Sequence, residues 1–328
     1  MAAISLFSVA LACKPGTTGQ SASTQPAGER VVLCTFVPMY VFTSNVVGDA
    51  ANIRIELIAP AALGCPHDYD PRPSDVRRFS TADLIISHGD IDSFCEKLVA
   101  ATGRNIPIVR AAQECAALPS ATADTHDHAA GDDHDHEGHD HAEHDEPTAS
   151  VNPHAWVSPI EAAKQVGVIE RALAATFPEH AEAFARNAQA YQVKLAALAD
   201  EMRSAGAAFQ HRNVVAAHDV FDYLARDLGL NVIGYITQYA RGEPSAMGMA
   251  ELTQRMRESG AAAILIEPFA ARAPADALSR ETGGTPVILL DPLASYSGTP
   301  DAEAYERVQR ENLDKLKKAL GGAERSTH

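Results

Sequence analysis

Positive charge is scarce in this sequence. The chain of 328 residues carries 27 Lys and Arg against 43 Asp and Glu, a formal net charge of -16. A surface of that sign argues against nucleic acid and against an anionic lipid surface as partners. Long apolar runs are missing too: none reaches about 18 residues, the length at which a helix begins to span a bilayer. Aromatics make up only 6 %, with a single Trp, so no exposed aromatic patch suited to adhesion is legible. The five Cys (Cys13, Cys34, Cys65, Cys95 and Cys115) show no spacing of a disulfide framework. Cys34 lies in an apolar run and reads as a buried thiol. Neither an H-E-x-x-H pair nor a nucleophile motif appears, which removes the usual signatures of a zinc hydrolase or an acyl-transfer enzyme.

What is present divides along the chain. Apolar residues at 46 % are enough for two cores, and the length suits two domains. Ile4–Ala12 is a short apolar run ending at Cys13, and reads as an export signal with a lipobox whose Cys13 receives the lipid. Ala10 stands where Leu is usual, and no basic residue precedes the run. A Gly/Ser/Thr/Pro/Gln tether follows. From Arg30 short β-type runs alternate with helical ones, which implies parallel sheets with helical crossovers. Strands are expected at Val31–Phe36, Ile53–Ile58, Leu84–Ser87 and Ile106–Val109, and again at Val214–Ala217, Val232–Thr237, Ala263–Ile266 and Val287–Leu290. Between the two sets lie a helix over Ser158–Thr176, with Ser158 as cap and Glu161 at the capping-box position, and a run from Pro178 to about Ala208. That run reaches roughly 45 Å, longer than a crossover needs and suited to a strut between lobes.

The expected division is therefore a signal and lipobox over 1–13, a tether over 14–29, a first α/β lobe over 30–177, a linking helix over 178–209 and a second α/β lobe over 210–321. Each lobe carries a parallel sheet of about four strands flanked by helices. The first is interrupted at 122–148 by a low-complexity stretch expected to be a disordered surface loop. Within it, Asp124–Glu146 holds ten acidic residues and seven His (His126, His128, His134, His136, His139, His141 and His144). Neutral imidazoles among carboxylates make weak, exchangeable metal sites.

Three His stand apart from that loop, each at a strand or loop end: His67, His154 and His218. Asp291 follows the strand Val287–Leu290 in the same manner. Ligands of open α/β sheets bind beyond the carboxyl ends of strands, and three imidazoles with one carboxylate suit tetrahedral Zn²⁺. Each residue alone has a plainer reading. Asp291 before Pro292 makes an Asx turn, and His88, His180 and His211 read as packed or surface residues. Cys65, two residues from His67, is a second-tier ligand. Glu243 and Glu267 are the cleft-side acids a catalytic base would need, and hydrogen bonding to loop backbone is their expected role. Asp219 is expected to point away from its neighbour His218.

Eight segments in order resemble one family: Phe36-Val37-Pro38, Pro66-His67-Asp68-Tyr69-Asp70-Pro71-Arg72-Pro73-Ser74-Asp75, Ala82-Asp83-Leu84-Ile85, Asn152-Pro153-His154-Ala155-Trp156, Ala217-His218-Asp219-Val220-Phe221, Gly242-Glu243-Pro244-Ser245, Glu267-Pro268-Phe269 and Leu290-Asp291-Pro292-Leu293. They resemble the cluster A-I solute-binding proteins of ABC transporters, the ZnuA/TroA-type zinc and manganese family, and its zinc type with a His-rich loop. The resemblance implies two α/β lobes, a long connecting helix and a metal in the interlobe cleft, with His67, His154, His218 and Asp291 as ligands. It implies a lipid-anchored monomer facing the periplasm or cell surface that hands Zn²⁺ to a permease and its ATPase. Some zinc members place a carboxylate just before the first His, where this chain has Pro66. Manganese-type members use a carboxylate at the position of His218. The readings left open are the same kind of protein serving Mn²⁺ or Fe²⁺, a secreted zinc enzyme, and an adhesin.

Overall fold

Strand β1 (Arg30–Cys34) shows why these segments form sheets. Its apolar residues alternate between two packed faces, Val31 and Leu33 joining Phe79, Leu98 and Ile106 on one side, Val32 and Cys34 joining Phe42 and Trp156 on the other. A strand buried on both faces is the mark of a parallel sheet between helices. The computed structural model describes residues 28–62, 64, 69–120, 151–237 and 244–321. The export signal and Cys13, most of the tether, Cys65, His67, the seven loop His and Glu243 lie outside them.

β1 pairs in parallel with β2 (Ile53–Leu57) and β3 (Leu84–Ser87), and β4 (Ile108–Arg110) flanks β3, giving the order β2-β1-β3-β4. Strands β5 (Asn213–Ala216), β6 (Asn231–Tyr235), β7 (Ala263–Ile266) and β8 (Val287–Leu289) repeat it as β6-β5-β7-β8, again all parallel. The fold is thus two four-stranded α/β lobes of one topology. Helices α1 (Val37–Val47), α2 (Pro73–Phe79) and α3 (Phe94–Thr102) serve the first sheet, and α6 (Asp222–Leu228), α7 (Ala246–Ser259) and α8 (Arg272–Glu281) the second. Between them come α4 (Pro159–Thr176) and α5 (Ala181–Ala207), and α9 (Ala304–Leu320) ends the described chain. No helix among the described residues is long and apolar enough to cross a membrane.

Three helix entries are set by local geometry. α1 starts at Val37, with Pro38 in the first turn, where its missing N–H costs nothing. Asp219–Phe221 and Pro178–His180 are 3₁₀ turns that lead into α6 and α5. α5 is an unbroken run of 27 residues, about 40 Å. Its buried stripe, Phe184, Ala188, Tyr191, Leu195, Leu198 and Met202, joins a core that contains Val32 and Ile86 of the first sheet and Val214 and Leu265 of the second.

Polar ties also cross between the lobes. Ser158 caps α4 as expected, its Oγ accepting from Glu161 N at 3.2 Å. Glu161 does not close the capping box. Its buried carboxylate accepts instead from Ala116 N (2.9 Å) and Lys164 Nζ (2.9 Å), and pairs with Arg226 of α6 at 3.0 Å. Arg226 also pairs with the buried Asp227 at 2.8 Å. Cys34, Cys95 and Cys115 are free thiols, and burial pushes Cys34 and Cys115 up to about 12.

Candidate metal centre

In each sheet the chain leaves the first and third strands in opposite directions, which opens a crevice beyond their carboxyl ends. In the second lobe that crevice lies between β5 and β7. Ala216 pairs with Leu265, and two residues beyond each are His218 and Glu267. His218 Nδ1 lies 2.7 Å from Glu267 Oε1, with both side chains buried. Glu267 was expected to bond loop backbone; its side chain abuts His218 instead.

In the first lobe Cys34 pairs with Ile86, and the matching residues are Phe36 and His88. Their rings meet edge to face at 6.1 Å. The carboxylate nearby, Asp92, is enclosed by donors: Thr35 Oγ1 (2.5 Å), Ser87 Oγ (2.9 Å), His88 N (2.8 Å) and Gly89 N (2.8 Å). That carboxylate is thus internally bonded. His88 packs on Trp156 at 5.2 Å, as a packed histidine should.

His154 reaches the second crevice from the segment between the lobes. Asn152, itself buried, orients it. Asn152 Nδ2 donates to Asp219 O at 2.7 Å, which makes Oδ1 the acceptor; His154 N and Nδ1 both lie 2.9 Å from that oxygen. Nδ1 therefore carries the proton, and Nε2 is the ring's acceptor nitrogen. The His154 and His218 rings stand 5.3 Å apart at 74°. Trp156 fixes the other side of this turn, its Nε1 donating to Pro292 O at 2.7 Å while Tyr305 Oη donates to Trp156 O at 2.8 Å.

Asp219 is the residue that sequence reasoning misplaced. It was expected to point away; it is buried beside His154, with Oδ1 3.5 Å from Nδ1 and Oδ2 accepting from Ser120 Oγ at 2.8 Å. His154, His218 and Asp219 each bring a ligand atom within 4.8 Å of the others. Asp219 faces the protonated edge of His154, so in this geometry it orients the ring. Apolar spacing carries no signal for it: a 3₁₀ turn, not an α-helix, follows the β5 strand.

Asp291 does not join that group. Its Oδ1 accepts from Leu293 N at 2.7 Å, the Asx turn read from the sequence, and Asn312 clamps its backbone N–H (2.9 Å) and C=O (2.7 Å). Burial raises its pKa, partly offset by the Leu293 N–H. Burial also pushes Asp222 up to about 7 despite the hydrogen bond from Tyr235 Oη, and the Asp219 charge adds to the rise. Two buried imidazoles among buried carboxylates make a donor set suited to a divalent borderline cation.

Residues 32–319 match the family described as zinc-uptake complex component A, periplasmic. The chain belongs to that family. Its relatives include the zinc-binding lipoprotein AdcA of Streptococcus pneumoniae, 32 % identical over 89 % of this chain and 56 % of its own length. They also include the high-affinity zinc uptake system protein ZnuA of Bacillus subtilis, 30 % identical over 96 % of this chain and 94 % of its own. The chain thus spans little more than half the length of the streptococcal relative. The Zn(II)-bound crystal structure of S. pneumoniae AdcA has the same fold, with a TM-score of 0.69 and 28 % identity over 90 % of this chain and 58 % of that one. In the zinc-uptake family this two-lobed layout belongs to a transport component, not to an enzyme.

Proposed function

We propose that this chain captures Zn²⁺ in the crevice between its lobes and passes it to an ABC permease and its ATPase. The observation that carries this reading is the buried pair His154 and His218, whose rings stand 5.3 Å apart. The names of the zinc-binding relatives support it. The proposed ligands are Nε2 of His154 and of His218, with His67 and Asp291 completing four-coordination. Asp219 and Asn152 hold the His154 ring. A site so enclosed strips the ion of water, and the carboxylates around it offset that loss. The test is elemental analysis of protein purified without added metal, with calorimetry. One tight Zn²⁺ per chain supports the reading; no retained metal and no tight zinc binding would overturn it.

His218 carries the choice of metal. Three imidazoles and one carboxylate suit Zn²⁺, whereas Mn²⁺ prefers more oxygen ligands and binds such sites most weakly. His218→Glu should narrow the Zn²⁺ over Mn²⁺ preference, chiefly by weakening Zn²⁺. Competition titration reads this, and a ratio unmoved by the substitution would remove His218 from that role.

We further propose that the protein works outside the cytoplasm as a monomer, tied to the membrane by a lipid on Cys13. Cys13→Ser should move it from the membrane fraction to the soluble one. A mature chain whose Cys13 is unmodified by mass spectrometry would show the anchor reading wrong. The seven His of residues 126–144 are proposed as weaker, exchangeable zinc sites.

A further inference from the structure

Glu267 sits where the fold offers the least to hold a carboxylate. It is 1 % exposed, and neither of its oxygens has a hydrogen-bond donor. Its Oε1 is 2.7 Å from His218 Nδ1, yet the approach is not in line with the ring N–H, so the pair meets as charge against dipole. Asp92 in the first lobe, also buried, accepts from four donors. A buried carboxylate left without donors is costly unless a positive charge compensates it. The other ring of the centre is held by a hydrogen bond: His154 Nδ1 lies 2.9 Å from Asn152 Oδ1, with the Asp219 carboxylate further off at 3.5 Å.

We propose that Glu267 is a positioning residue for zinc: it backs the Nδ1 edge of His218, turns Nε2 toward the ion and strengthens that ring as a donor. This deepens the zinc-capture reading and rests on it. When a cation sits on Nε2, positive charge spreads into the imidazole and the Nδ1–H becomes a stronger hydrogen-bond donor. The carboxylate then gains a strong charge-assisted partner that the metal-free ring does not provide. Zinc arrival is thus what satisfies Glu267.

The test compares Glu267→Gln, which keeps shape and removes charge, with wild type in full-length protein. Zinc affinity should fall about 10–100-fold, while the melting temperature of the metal-free protein stays level or rises, because an uncompensated charge is gone. The visible spectrum of the Co²⁺-loaded protein should shift, since the donor strength of His218 changes; a purely structural role would leave that spectrum alone. Glu267→Asp keeps the charge and should recover part of the affinity, and it serves alone if the Gln variant does not fold. Zinc affinity within twofold of wild type in both variants would overturn the proposal, as would an affinity loss that tracks a lower melting temperature with an unchanged Co²⁺ spectrum. Wild type that binds neither zinc nor Co²⁺ would sink the zinc-capture reading itself, a distinct outcome.

Discussion

His154→Ala should lose two to three powers of ten in zinc affinity. Zinc at a four-ligand protein site is held by about 10–16 kcal/mol, so one ligand accounts for roughly 2.5–4 kcal/mol. The substitution does more than delete a nitrogen. The imidazole is buried, packed against Trp156 at 5.3 Å and held by Asn152 Oδ1. Its removal leaves that oxygen and Asp219 facing a void, and His88, the other imidazole described on Trp156, belongs to the first-lobe crevice. Binding in wild type should weaken as pH falls, because each coordinating imidazole must be neutral. Calorimetry of wild type and His154→Ala reads both effects, with His180→Ala as control. Retention of wild-type affinity in His154→Ala would remove this residue from the centre.

The second large effect is on stability and lies away from the metal. Arg226→Ala should lower the unfolding free energy by roughly 3 kcal/mol, the low end of the range for breaking a buried ion pair. Arg226 holds two buried carboxylates, Glu161 at 3.0 Å and Asp227 at 2.8 Å, and lies over the Tyr223 ring at 5.3 Å. The low end applies because the guanidinium is 32 % exposed and because Lys164 and Ala116 N remain on Glu161. Burial alone would raise the Glu161 pKa, but these partners hold it below the usual range. The contribution of Glu161 is therefore present above the ordinary Glu range and lost as pH falls through the lower folded value. Denaturant melts near neutral pH are the measurement, and a change below about 0.5 kcal/mol, the level of an ordinary surface substitution, would show that the cluster does not join the lobes.

Much of the fold was legible because apolar runs, helical spacing and caps are local signals. The eight strands stand within two residues of their expected ends, and Ser158 caps α4 as read. Helix entries were less legible: Pro38 and the 3₁₀ turn at Asp219 depend on how the chain leaves a strand, which apolar spacing does not encode. At the centre, His154 and His218 could be picked out by their places at segment ends. Their partners could not. Glu267 becomes a neighbour of His218 only through register, since Ala216 pairs with Leu265 across the sheet, and Asp219 meets His154 only through the packing of the inter-lobe segment. Asp291 shows the converse. Its position after β8 reads equally as a ligand and as a turn, and its Oδ1 is engaged with Leu293 N.

The protein has one tryptophan, and its position has an optical consequence. Trp156 is buried between the rings of Phe36, His88 and His154, at 4.9, 5.2 and 5.3 Å, with its indole N–H on Pro292 of the opposite lobe. All indole emission from this chain therefore originates within one ring's distance of His154 and from the join between the lobes. A change in indole emission as an ion is added is a local signal, undiluted by other indoles, and it follows the movement of His154 and of Pro292 together. Filling of the crevice can be timed in unlabelled protein, with the chain's scarcest residue as the reporter.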